Sequence, residues 1–155
     1  MENNKKIAVL VPCYNEAQTI AKVVADFRRE LPEADVFVYD NNSGDETARR
    51  ATDAGAMVRR EPLQGKGNVV RRMFADIDAD IYVLVDGDDT YDAASAPALI
   101  QRLVVDSLDM VNGAREEKSE LAYRRGHRFG NRLLTGLVAK FFGERMTDML
   151  SGYRI

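Results

Sequence analysis

Asp86, Asp88 and Asp89 lie close together, directly after the apolar run 81–85. Carboxylate oxygens are hard ligands that suit Mg²⁺ or Mn²⁺, ions that keep several waters and bind substrate phosphates. An ion on Asp86 and Asp88 would neutralise charge developing on a leaving diphosphate. An Asp-x-Asp by itself is equally a solvated acidic turn. What favours the ligand set is its place after a buried strand, with Asp89 beside it. An EF-hand loop is excluded, because its sixth and twelfth positions would hold Tyr91 and Pro97 rather than Gly and Glu.

Other chemistry-bearing residues fall at comparable places. Asp40 ends an apolar stretch, where a carboxylate can accept from a ribose hydroxyl or a base N–H; by spacing alone it is equally a turn residue. Asp45 reads as a helix N-cap. Gly65-Lys66-Gly67 lacks the spacing and the Ser/Thr of a P-loop, yet it allows close backbone approach to an anion at a helix start. Arginines crowd 115–132, diluted by Glu116, Glu117 and Glu120. Most of that run reads as a solvated face, with Arg115 and Arg128 set apart as candidate anion ligands. His127 is the only histidine, so neither a histidine metal site nor a serine triad is available.

The elements that must position these residues alternate. Strands are expected at 7–11, 35–39, 56–59, 81–85 and 109–112, and helices at 16–31, 45–55, 68–77 and 94–105. Asn15 is the expected N-cap of the first helix and Gly55 the C′ residue of the second. This alternation predicts an α/β sandwich with a mostly parallel sheet, whose ligands bind beyond the carboxyl ends of the strands. Tyr14-Asn15-Glu16, Asp40–Asp45 and Asp86–Asp89 all fall at those ends, so three distant stretches are expected to converge on one crevice. The apolar stretch 133–142 reads as a helix packed on the core.

Composition sets outer bounds. The 155 residues suffice for one domain, and 45% hydrophobic with 30% charged residues is an ordinary globular balance. A net charge of −3 provides no global attraction for nucleic acid. The lone Cys13 excludes an internal disulfide and fits a reducing compartment. The apolar run after the polar residues 1–6 is too short and interrupted to read as a signal peptide, and no apolar run in this sequence reaches the roughly 18 residues of a membrane span. The last residues, 151–155, read as the start of another element, so the chain is expected to be a single catalytic domain over 1–155, C-terminally truncated from a longer protein.

Taken together, the motifs resemble those of family 2 glycosyltransferases. Val11-Pro12-Cys13-Tyr14-Asn15-Glu16 resembles the family's opening motif, and Asp40-Asn41-Asn42-Ser43-Gly44-Asp45 its second, with Asn41 in place of a usual second aspartate. Gly65-Lys66-Gly67-Asn68 and Asp86-Gly87-Asp88 resemble the glycine-lysine-glycine helix start and the metal-binding Asp-x-Asp. Asn112-Gly113-Ala114-Arg115, Arg128-Phe129-Gly130-Asn131 and Asp148-Met149-Leu150-Ser151-Gly152-Tyr153-Arg154 resemble the polyprenyl-phosphate branch, the dolichol-phosphate mannose synthase-like enzymes. Many relatives carry a hydroxyl residue where Asn131 stands.

The resemblance implies a GT-A fold and an inverting transfer from a UDP- or GDP-sugar to a polyprenyl phosphate, dependent on Mg²⁺ or Mn²⁺. Pro12, Tyr14, Glu16 and Asp40 would hold the nucleoside, and Lys66 would lie near the donor. Asp86 and Asp88 would approach the metal, with Asp88 its direct ligand, and Arg115 and Arg128 would receive the acceptor phosphate. Asp148 would be the base if the acceptor were a hydroxyl. The enzyme is expected in the cytoplasm, or at the cytoplasmic face of a membrane if anchored, with possible contact to the membrane surface. Three alternatives stand: a GT-A transferase building glycosidic bonds on a saccharide, a phosphatase, and a truncated, inactive nucleotide-binding module. The second arises because Asp86-x-Asp88-x-Thr90 is similar to the first motif of haloacid-dehalogenase phosphatases, with Asp86 as nucleophile. That motif usually opens its domain, whereas three expected strands precede it here.

Overall fold

The computed structural model describes residues 5–113 and 151–155. Its centre is a four-stranded parallel sheet of β1 (Ile7–Cys13), β2 (Asp35–Asp40), β3 (Met57–Arg60) and β4 (Ile81–Leu84), in the order β3-β2-β1-β4. The connections carry α1 (Ile20–Glu30), α2 (Thr47–Asp53) and α3 (Lys66–Asp76), and α4 (Ala96–Val105) follows β4 after a 3₁₀ turn at Ala93–Ser95. The α/β sandwich expected from the sequence is the fold observed.

Side-chain alternation along the strands builds its layers. Val9, Val11 and Cys13 of β1, Val36 and Val38 of β2, and Ile81 and Val83 of β4 face one core with Ile20, Val24 and Phe27 of α1. Ala8, Leu10, Phe37 and Tyr39 face the other, against Val69 and Met73 of α3. Helices thus cover both faces. This is why β1, with six of its seven residues buried, reads as an unbroken apolar run.

The strand order creates a switch point. From β1 the chain moves outward to β2 and β3, then crosses back so that β4 pairs with the other side of β1, Ile7 opposite Ile81 and Leu10 opposite Leu84. A crevice therefore opens between the carboxyl ends of β1 and β4, where open α/β sheets bind ligands. On the far side of β4, Leu84 and Arg154 exchange backbone hydrogen bonds of 2.9 and 2.8 Å in antiparallel sense. Residues 153–155 pair in turn with 111–113, through Val111 N–H to Ile155 O at 2.7 Å and Gly113 N–H to Tyr153 O at 2.9 Å.

Three local expectations are corrected. Asn15 does not cap α1; it stands at φ 56°, and the helix begins at Ile20 after a turn in which Glu16 O accepts from the N–H groups of Thr19 and Ile20. Asn15 instead joins two loops, its N–H donating to Ser43 Oγ and its Oδ1 accepting from Gly44 N–H. The expected strand over 109–112 is reduced to a single bridge, Asn112 with Arg154. The helix expected from Asn68 begins at Lys66, which puts that lysine on its first turn. Gly55 stands just past α2 at φ 92°, as expected of a C′ residue. Among the described residues no helix is long and apolar enough to cross a membrane. The stretch 133–142 lies outside the described residues.

Candidate active site

Pro12, Cys13, Tyr14, Glu16, Asn41, Lys66, Val69, Asp86 and Asp88 border a cleft of about 170 Å³ at the switch point. Four separate parts of the chain meet there: the end of β1, the end of β2, the start of α3 and the loop after β4. Of the residues singled out by sequence, the cleft gathers Pro12, Tyr14, Glu16, Lys66, Asp86 and Asp88. Asp40 is buried at the end of β2 and does not border the cleft; both its carboxylate oxygens face Ser43 N–H at 3.3 Å, so it shapes the turn beneath. Arg115, Arg128 and Asp148 lie outside the described residues, as does His127.

The loop after β1 is held by the loop after β2. Glu16 N–H donates to Thr47 Oγ1 at 2.8 Å and Ala17 N–H to Asp45 Oδ2 at 3.1 Å. Asp45 Oδ1 also accepts from Thr47 N–H at 3.0 Å, a turn just before α2; the N-cap of α2 is Glu46, which corrects the capping role expected of Asp45. The acidic loop is fixed from α1: Thr19 Oγ1 donates to Gly87 O at 2.7 Å, and Lys22 pairs with Asp89 at 2.7 Å. Gly87 is required by close approach, since a Cβ there would collide with the Glu16 carboxylate and lie 2.7 Å from Cys13 Sγ.

Charge in the cleft is uneven. Lys66 Nζ pairs with Asp86 Oδ1, while Asp88 Oδ1 accepts from Thr90 N–H at 3.1 Å. Asp86 is also walled by backbone: a Cβ on Gly152 would overlap its carboxylate. Glu16 Oε2 is buried without a hydrogen-bond partner. Burial pushes the Glu16 carboxyl up to about 7; contact with the Cys13 thiol partly offsets this, and the charges of Asp88 and Asp86 add to it. The Cys13 thiol is itself pushed far up, first by burial and then by Glu16, which leaves it without nucleophilic character.

Asp86 and Asp88 offer hard carboxylate oxygens beside a cationic Lys66, a donor set that fits Mg²⁺ or Mn²⁺ carrying a diphosphate. Among the described residues no three His, Cys, Asp or Glu side chains are grouped to hold a metal, so water and diphosphate oxygens would complete the shell. Sequence reasoning missed Cys13, Asn41 and Val69 as walls of the cleft, and Gly152 behind Asp86. Cys13 and Asn41 each adjoin a residue that was singled out. Gly152 gave no signal toward Asp86, because that contact spans 66 residues.

Comparison with known proteins gives these features a setting. The family model described as Glycosyl transferase family 2 matches residues 8–153. The chain is 58% identical over 129 residues to Protein RfbJ of Shigella flexneri, covering 83% of this chain and all of that one. It is 32% identical over 148 residues to a dolichyl-phosphate hexose transferase of Haloferax volcanii, covering 96% of this chain and 64% of that one. Among solved structures it is similar to glucosyl-3-phosphoglycerate synthase of Mycobacterium tuberculosis in complex with Mn²⁺ and uridine-diphosphate-glucose. There the TM-score is 0.78 at 25% identity, over 97% of this chain and 55% of that one. The chain thus spans little more than half the length of the mycobacterial protein and under two thirds of the Haloferax one.

Proposed function

The chain belongs to glycosyl transferase family 2, and from that premise we propose that it carries the donor site of a metal-dependent, inverting transferase that moves a sugar from a nucleoside diphosphate to a polyprenyl phosphate. The observation that carries this reading is the convergence of Tyr14, Glu16, Lys66, Asp86 and Asp88 on one cleft at the sheet's switch point. Pro12, Tyr14 and Glu16 are proposed to hold the nucleoside, and Lys66 with the acidic pair to hold the diphosphate. Mg²⁺ or Mn²⁺, when bound, would neutralise the charge that gathers on the leaving diphosphate. Asp88 would hold it directly, and Lys66, now on Asp86, would turn to a phosphate oxygen.

An acceptor phosphate is already ionised at neutral pH, so positioning and charge neutralisation carry the catalysis without a dedicated base. Arg115 and Arg128 are proposed to receive that phosphate. The similarity to the Haloferax dolichyl-phosphate hexose transferase supports the lipid acceptor; residues 1–155 are proposed as a single catalytic domain that works in the cytoplasm, or at the cytoplasmic face of a membrane if the protein is anchored. The mycobacterial synthase, solved with a uridine diphosphate sugar, supports the donor class and also favours a second reading with a hydroxyl acceptor, for which Asp148 would be the base. Family membership, and the position of Asp86 after the fourth strand, leave the phosphatase alternative without support.

Calorimetric titration with UDP, GDP, CDP and ADP, each with and without Mn²⁺, tests the donor site. One diphosphate is expected to bind, and only with metal. Asp88→Asn is expected to abolish that metal-dependent binding while leaving the urea midpoint unchanged. Metal dependence that survives in Asp88→Asn would refute the assignment. Transfer of radiolabelled sugar to a polyprenyl phosphate, against a free saccharide, separates the two acceptor readings.

A further inference from the structure

The turn that delivers Lys66 to the cleft is held by side-chain amides. Residues 61–65 lead from β3 into α3. Asn41 Nδ2 donates to the carbonyl oxygens of Glu61 and Leu63, both at 2.8 Å, and Asn41 Oδ1 accepts from Gly65 N–H at 2.7 Å. Asn42 Nδ2 donates to Pro62 O at 2.9 Å, and Asn68 Nδ2 to Gln64 O at 3.0 Å. Each carbonyl from 61 to 64 therefore receives an asparagine amide. Gly65 stands at φ 121°, where an L side chain would be strained, and its two peptide groups are gripped by Asn41 Oδ1 and by Asn68 N–H. The next residue is Lys66, whose ammonium reaches Asp86.

Asn41 is buried, with 3% of its surface exposed, and its own N–H bonds Cys13 O at 2.9 Å. It ties the ends of β1 and β2 to the start of α3. Only an amide can do this. A carboxylate accepts but cannot donate, so an aspartate at 41 would keep the Gly65 bond while setting its second oxygen against two carbonyl oxygens. Both Nδ2 hydrogens are engaged within the turn, which leaves Asn41 little to offer a ligand directly.

We propose that Asn41, supported by Asn42, is a positioning residue that sets Lys66 against the donor diphosphate and contributes to donor affinity through Lys66. This rests on the transferase reading above. The test compares wild type, Asn41→Asp, Asn42→Ala, Lys66→Ala and the Asn41→Asp/Lys66→Ala double variant. Each is titrated with the diphosphate that wild type binds among the four nucleotides, and with its parent nucleoside, both in Mn²⁺. The Lys66 resonance is read separately, without ligand, by NMR of ¹³C-methylated lysines, with Asp86→Asn added as the reference for a Lys66 that has lost its partner.

Asn41→Asp is expected to weaken the diphosphate by about tenfold or more, because it withdraws the amide donor from Glu61 O and Leu63 O and sets a carboxylate oxygen against them, and the nucleoside by less than about twofold. In the Lys66→Ala background it should add less than about twofold. Its Lys66 resonance should move toward the position that resonance takes in Asp86→Asn. Asn42→Ala, the milder change should Asn41→Asp fail to fold, should shift affinity and resonance in the same direction by less. Equal weakening of nucleoside and diphosphate, full additivity with Lys66→Ala, or an unmoved Lys66 resonance would each overturn the proposal. If wild type binds no nucleoside diphosphate, the transferase reading fails. The resonance then decides whether Asn41 sets Lys66, an unmoved signal meaning that it does not.

Discussion

Glu16 holds its proton up to about pH 7, since burial and the charges of Asp88 and Asp86 outweigh the help it receives from Cys13 and Lys66. In the unfolded chain the same carboxyl releases its proton near 4.5. Below that value both states are protonated and the shift has no effect. Between about 4.5 and 7 the unfolded state ionises first, so folding stability falls as pH rises, and above 7 the loss is constant. Glu16→Gln removes this slope. In EDTA, urea unfolding should find the variant equal to wild type near pH 4. At pH 8 it should be more stable by about 1–2 kcal/mol, a figure discounted for the solvent that reaches this half-buried group. A difference that does not depend on pH would contradict the assignment of the shift to Glu16. Tyr14, Glu16, Asp86 and Asp88 were legible in the sequence as polar residues after buried strands that also matched family motifs, and Lys66 as part of a glycine-lysine-glycine helix start. Asn41 was legible only as a departure from a pattern. Its role lies in which of its atoms donate and which accept, and that depends on a turn 20 residues away.

At the scale of elements, burial on both faces made β1 and β2 readable, and the 3.6-residue period of Ile20, Val23, Val24 and Phe27 made α1 readable. Where elements begin was harder. The start of α1 was misplaced at Asn15 because 14–19 is organised by bonds to Ser43, Asp45 and Thr47, contacts that no local pattern encodes. The pairing of 111–113 with 153–155 is equally non-local. Phe27 links helix and sheet edge: it is 1% exposed and meets Tyr153 edge to face at 6.1 Å. Phe27→Ala should cost about 3–5 kcal/mol of stability by urea denaturation, the range for a buried phenylalanine that leaves a cavity. It should also speed hydrogen exchange at Gly113 and Arg154, whose N–H groups hold the edge pairing together. A loss below about 1 kcal/mol would mean that α1 repacks freely.

At the scale of the whole molecule, the wall behind Asp86 is backbone that arrives late in the chain. Gly152 lies against Asp86, its N–H donates to the Tyr91 hydroxyl, and the bridge between Leu84 and Arg154 fixes it to β4. Gly152→Ala should therefore displace Asp86 and lower metal-dependent nucleotide affinity by about tenfold or more, with a smaller effect on unfolding. Calorimetry beside a denaturation curve reads both, and unchanged nucleotide binding would count against a wall at this position. The arrangement also orders events in time. All four parallel strands are available once residue 84 has been made, and the pairings among them need nothing that comes later. Asp86 gains its wall only after the ribosome has added residues 152–154, nearly seventy positions on. A nascent chain thus carries all four strands before the cleft proposed to bind the donor has its wall behind Asp86, so the proposed site would be completed near the close of this stretch of synthesis.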